Sequence, residues 1–253
     1  MTASAPRQTH AISRHGDLIT KTYRSWGRGE HLREWQVLQA LHRAEPDLAP
    51  RPVRAALDDE PPSITMTALP GEMVAGTWND DQLDALAEAM ERLWSQPECN
   101  PAIDLHEVGF WRALAAAAAR PADGPEREAY DRARGWIEST ALDRLMDRRP
   151  RILGQGDPQA GNLLYDGVRI RLIDFEDAGA SDRCFELANF AEHLGNRGRG
   201  LDRLADRFEV DQERLRLGRR LLASFWFFRL LPVRDERPAG FADQTQRLLD
   251  LLG

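Results

Sequence analysis

Lysine is nearly missing from this chain: Lys21 stands alone against 33 arginines in 253 residues. Cysteine is almost as scarce, with only Cys99 and Cys184. That excludes a disulfide framework and a cysteine-based metal motif, and it fits a reducing compartment. No apolar run reaches the roughly 18–20 residues of a membrane span. The longest, 113–119 and 221–228, are short and flanked by arginine. The opening MTASAPRQTH has no apolar stretch of the kind a secretory signal needs, so the expected setting is the cytoplasm, with no membrane partner. The six histidines are scattered without ligand spacing and read as structural or surface residues.

Charge is unevenly spread. Residues 58–110 hold twelve acidic side chains against one arginine, while the flanking segments come close to balance. So acidic a block excludes nucleic acid as the main partner, because phosphate contacts need basic surface. It would favour a cationic small molecule by steering, although for any single charge in the block a solvated helix face or loop is the better reading.

The segment that carries chemistry is QGDPQAGNLLYDGVRIRLIDFED, Gln155–Asp177. Asp166-Gly167 between two strand-like runs predicts a hairpin with a two-residue type I′ turn. That turn would pair Leu164 with Arg169 and Asn162 with Arg171. Asn162 and Asp174 then emerge at one open end, and the loop 156–161 returns Asp157 to it. An amide oxygen and a carboxylate are hard ligands suited to Mg²⁺, which keeps several waters and shares its other positions with substrate phosphates. The second carboxylate beside them can accept the proton of a substrate hydroxyl.

D-x-x-x-x-N followed by I-D-F resembles the catalytic and metal-binding loops of the aminoglycoside phosphotransferase and choline kinase superfamily, small-molecule kinases with a protein-kinase-like fold. The resemblance covers most of the chain from about Gln8, and 155–190 is its specific part. It implies an α+β, bilobal fold with a small, reduced β-sheet N-lobe (1–69, hinge near 67–71) and a mostly helical C-lobe (70–253). It implies Asp157 as catalytic base, Asn162 and Asp174 as Mg²⁺ ligands, and Glu186 as a buried anchor of the catalytic loop. The family's usual His-Gly-Asp reads Gln155-Gly156-Asp157 here.

In the amino-terminal third, LITKTY predicts a strand presenting Lys21, a compact charge suited to the α/β-phosphates of ATP or GTP, which a guanidinium grips less well. Residues 29–43 read as the next helix, with Leu32, Trp35, Leu38 and Leu41 as its apolar stripe. Glu34 resembles the family's helix glutamate that sets this lysine; Glu30 is the fallback. Residues 62–72, a strand running into Pro70-Gly71, resemble the hinge. By that match the Thr67 carbonyl and Leu69 amide bind the purine edge, with Met66 behind it.

One departure is prominent. The family starts with two strands around a glycine-rich loop over the phosphates, whereas here only MTASAPR precedes the expected second strand, Gln8–Ser13. The loop is missing, replaced, or lost to a misplaced start codon. Three readings follow. The first is a small-molecule kinase moving the γ-phosphate of Mg-ATP or Mg-GTP to a hydroxyl, with the acidic block leaning toward an aminoglycoside-like cation. The second is a pseudokinase, a binding or regulatory module with little or no transfer. The third, a metal-dependent hydrolase built on Asp157, Asp174, Glu176 and Asp177, gives Lys21 no role.

Further helices are predicted at 79–97, with Asn79 as its cap and Pro97 as its stop, and at 108–119, 125–148, 184–195, 211–231 and 240–252. The run Phe225, Trp226, Phe227, Phe228 reads mainly as core.

Overall fold

Ile12 in the first strand and Ile19, Thr20 and Thr22 in the second favour extended backbone at the start of the described chain. The computed structural model describes residues 10–96, 107–147 and 151–253. Strands β1 (Ala11–His15) and β2 (Leu18–Thr22) fold back on each other across Gly16 at φ 60°. With β3 (Pro52–Ala56) and β4 (Ser63–Thr67) they form an antiparallel sheet of order β1-β2-β4-β3. Strand β3, which sequence reasoning did not single out, supplies the far edge beside β4.

Helix α1 (Glu30–Ala44) follows the second strand. Its inward face differs from the predicted stripe: Leu32 is 44% exposed, and the buried set includes Glu30, Arg33, Glu34, Val37, Leu38 and Leu41. The helix turns charged residues toward the site, and Leu32 is carried outward. The expected strand start at Gln8 lies outside the described residues, as do Pro97, Cys99 and the end of the 125–148 helix.

The remainder is mostly helical. Asn79 caps α2 (Asp80–Trp94) as predicted, through a reciprocal box with Gln82. Leu83, Leu86, Met90, Leu93 and Trp94 form one buried face. Helix α3 spans Val108–Ala117. The single helix expected over 125–148 is instead two, α4 (Gly124–Glu138, with Pro125 in its first turn) and α5 (Thr140–Met146). Ser139 breaks them: its backbone is extended, and its hydroxyl accepts the Ala141 N–H at 3.2 Å while donating to the Trp136 carbonyl at 2.6 Å. Serine favours such a cap over a helix interior. Helices α6 (Arg183–Glu192), α7 (Gln212–Leu230) and α8 (Pro238–Leu252) complete the lobe. The architecture is a small antiparallel sheet lobe joined to a helical lobe. No described helix is long and apolar enough to cross a membrane.

Short strands sit where the site is built. β5 (Glu72–Met73), β7 (Leu163–Tyr165) and β8 (Ile170–Leu172) make one sheet, and β6 (Ile152–Gly154) with β9 (Gly179–Ser181) makes a pair. The hairpin is present, but its register is corrected. Tyr165 faces Ile170 and Leu164 faces Arg171, so the turn centres on Gly167-Val168 rather than Asp166-Gly167. Asp166 Oδ1 accepts the Val168 and Arg169 amides, which draws Asp166 out of the turn centre. Gly167, at φ 98°, takes the first central position, the one a type II′ turn reserves for glycine. A slip of two in pairing keeps every side chain on its predicted face.

Candidate active site

β7 and β8 bring two parts of the predicted set together. In the corrected register Asn162 lies across from Ile173, whose N–H donates to the Asn162 carbonyl at 3.0 Å. Asp174 is the next residue. It holds φ 65°, the only described non-glycine residue with positive φ, a conformation that Asp tolerates better than most. Two contacts fix it: Gln155 Nε2 donates to the Asp174 carbonyl at 3.0 Å, and the Phe175 N–H points to Glu34 Oε1 at 3.3 Å.

The loop after β6 supplies Asp157. Its start is anchored by Glu186, fully buried, which accepts the Gln155 N–H at 3.0 Å and the Ser181 hydroxyl at 2.8 Å. Asp157 Oδ2 accepts from Gln159 Nε2 at 2.7 Å and Asn162 Nδ2 at 3.2 Å; Oδ1 lies 2.9 Å from His193 Nε2. Burial alone would push this carboxyl up, but the bonds from His193, Gln159 and Asn162 outweigh it and hold it below the usual range.

β2 and α1 deliver the charge pair. Lys21 Nζ sits 2.7 Å from Glu34 Oε2, 2.6 Å from Asp174 Oδ1 and 2.7 Å from Glu176 Oε2. Tyr23 also donates to Glu34. Burial pulls the ammonium's pKa down, but Glu34, Asp174 and Glu176 more than reverse that, and it stays charged. Glu30 is spent on Arg28 instead. The same crowding acts on the acids. Burial, opposed by Lys21 and reinforced by neighbouring carboxylates, raises Asp174 to about 6 and Glu176 to about 7.

At the expected hinge, Thr67 ends β4 and Leu69 follows before Pro70. The Thr67 and Ala68 N–H groups are engaged by the Arg51 and Asp17 carbonyls at 3.0 and 2.8 Å. Gly71 then passes close to β7: a Cβ there would lie 2.9 Å from the Tyr165 carbonyl.

A family model for the phosphotransferase enzyme family, APH, matches residues 6–222. The chain belongs to this phosphotransferase family. Solved structures agree in fold. The GDP and kanamycin complex of the aminoglycoside phosphotransferase APH(2")-IIia superposes with a TM-score of 0.70 at 19% identity, covering 99% of this chain and 92% of that one. A choline/ethanolamine kinase family protein from Mesorhizobium loti gives 0.66 at 16%, covering 98% and 86%. The choline kinase LicA from Streptococcus pneumoniae gives 0.63 at 15%, covering 99% and 91%. No curated protein matches the chain.

Beside the phosphotransferase motif lies a cavity of about 480 Å³ whose floor includes Gly156 and Asp157. Its walls carry Phe110, Trp111, Phe185, Phe225 and Trp226, with Glu107, Asp177 and Arg28 among the charged residues. The aromatic run of α7 is thus divided: Phe227 and Phe228 are core, whereas Phe225 and Trp226 reach the cavity.

Three residues at the site were not legible beforehand. His193 and His10 fall among the scattered histidines expected to be structural or surface residues, and Glu176 enters the sequence reading only through the hydrolase alternative. His10 Nε2 lies 2.6 Å from Glu176, which in turn reaches Lys21. Only the I-D-F-E run, placing Glu176 two residues after Asp174, offered a signal.

Proposed function

We propose that this phosphotransferase moves the γ-phosphate of ATP or GTP to a hydroxyl of a small molecule held in the aromatic cavity. The observation that carries the reading is the convergence of Lys21, Glu34, Asp157, Asn162 and Asp174, drawn from four separate stretches of chain. Complexes of neighbours with GDP and with ADP support a nucleotide co-substrate without choosing the base.

The donor set suits Mg²⁺. One oxygen each from Glu34, Asp174 and Glu176 lies within 4.8 Å of the others, and the raised Asp174 and Glu176 mark a carboxylate cluster that one ammonium leaves under-compensated. Asp174 and the Asn162 amide oxygen would hold the ion; when bound, it supplies charge compensation for the phosphates. Lys21, aligned by Glu34, binds the α/β-phosphates. The Thr67 carbonyl and Leu69 amide meet the purine edge. Asp157 accepts or orients the acceptor hydroxyl, and the cavity rings hold its body and exclude water. Most of the acceleration then comes from positioning and fixed charge.

The acceptor we infer has an apolar or ring-stacking body with few positive charges. The acidic block of 58–110 contributes Glu107 to the cavity. Several of its other acids are engaged elsewhere: Asp80 with Arg203 and Arg207, Asp84 with Arg207, and Glu91 with Arg183. This shifts the reading away from an aminoglycoside-like polycation. One observation favours the second reading, a pseudokinase: Lys21 is already clasped by three carboxylates. The deciding experiment follows γ-labelled ATP and GTP with a panel of hydroxyl compounds. Transfer that Asp157→Ala abolishes, with nucleotide binding retained, supports the kinase; no transfer to any acceptor or to water supports the binding module.

A further inference from the structure

His193 closes α6 just beyond Glu192 and is buried, with 8% of its surface exposed. Its Nδ1 accepts the Gly195 N–H at 3.1 Å, so that nitrogen carries no proton. The proton of the neutral ring must sit on Nε2, which lies 2.9 Å from Asp157 Oδ1. The ring also stands edge-on to Trp226, with centroids 4.8 Å apart and planes at 85°.

Asp157 offers two oxygens, and they are used unequally. Oδ2 is taken by both Gln159 and Asn162. An acceptor hydroxyl arriving from the cavity must therefore address Oδ1, the oxygen that His193 already touches. A carboxylate oxygen accepts two hydrogen bonds, so His193 occupies one direction and leaves the other for the hydroxyl. A neutral donor fixes the carboxylate's orientation while drawing less on its basicity than an arginine or lysine cation would. With Nδ1 engaged by Gly195, the ring is not arranged to pass a proton onward.

We propose that His193 is a positioning residue for phosphoryl transfer: its Nε2–H holds Asp157 Oδ1 in the orientation that receives the acceptor hydroxyl. This rests on the reading of Asp157 as proton acceptor. Outer-shell partners of this kind are worth roughly 10–100-fold in activity at metal sites, and a similar effect is expected here.

Two measurements test it. In ¹⁵N-histidine-labelled protein, the resonances lost in His193→Gln should show the neutral Nε2–H tautomer; an Nδ1–H tautomer overturns the proposal whether or not the protein is a kinase. In kinetics, γ-phosphate release to acceptor or water should fall about 10–100-fold in kcat for His193→Ala, with the nucleotide KM within about twofold. His193→Gln, whose amide N–H can replace Nε2–H, should recover most of that loss. Wild-type kcat in His193→Ala, or equal loss in both variants, contradicts the proposal. If wild-type protein releases no γ-phosphate at all, the kinase reading fails, and the tautomer alone decides the geometry.

Discussion

Gln155 and Asp174 are joined across the two loops of the site: the Gln155 side-chain amide donates to the Asp174 carbonyl at 3.0 Å and to the Ile173 carbonyl at 3.2 Å. The residue that replaces the family's usual histidine thus ties the Asp157 loop to the Asp174 loop. It also supports the left-handed backbone of Asp174.

Gln155→Ala leaves two carbonyls without that donor in a buried setting. The expected loss is about 1–3 kcal/mol of unfolding free energy, read from urea denaturation. A loss below about 0.5 kcal/mol would mean that water or a neighbour replaces the amide without cost.

Gly156 is expected to be intolerant of any side chain. It sits at φ 83°, and a Cβ there would lie 2.0 Å from the Asp177 carbonyl oxygen. Gly156→Ala combines left-handed strain of about 1–2 kcal/mol with a backbone clash, so destabilisation of about 3 kcal/mol or more is predicted. Gly167→Ala is the control, with φ 98° and nothing within 4 Å of the added Cβ; it should show the strain alone. Similar values for the two variants would contradict the close approach of the Asp157 and Asp177 loops.

Asp174 and Glu176 set a pH dependence. Burial, with the neighbouring carboxylates, raises them to about 6 and about 7 from ordinary values of 3.8 and 4.5. Between those values the folded chain binds more protons than the unfolded one, so their contribution to stability falls as pH rises. It is fully present below about pH 4 and lost by about pH 7. Glu176→Gln should flatten the slope of unfolding free energy over that window relative to wild type. An unchanged slope would place the titration elsewhere.

How much of this was legible depended on whether a signal was local. Lys21 next to an amphipathic stretch containing Glu34, and an Asp-Gly hairpin between Asn162 and Asp174, are short-range patterns, and both elements form. The misplaced turn centre came from Asp166 using its carboxylate on the Val168 and Arg169 amides, a local option competing with the Asp-Gly turn. The split at Ser139 was foreshadowed by Ser139-Thr140, a helix-start signal inside an otherwise continuous pattern. His193 was beyond reach, because its partner Asp157 is brought to it only by the packing of α6 against the loop after β6. Leu32 was misread because the buried face of α1 is partly charged, and apolar periodicity cannot detect a helix that faces a polar site.

The proposed function requires a working Mg²⁺–nucleotide site. The most direct test is calorimetric titration of the whole protein with ATP and GTP, with and without Mg²⁺, alongside Asp174→Ala. Mg²⁺-dependent binding of at least one nucleotide, weakened tenfold or more by the substitution, is the predicted result. No binding of either nucleotide, or binding indifferent to both Mg²⁺ and Asp174, would contradict the account.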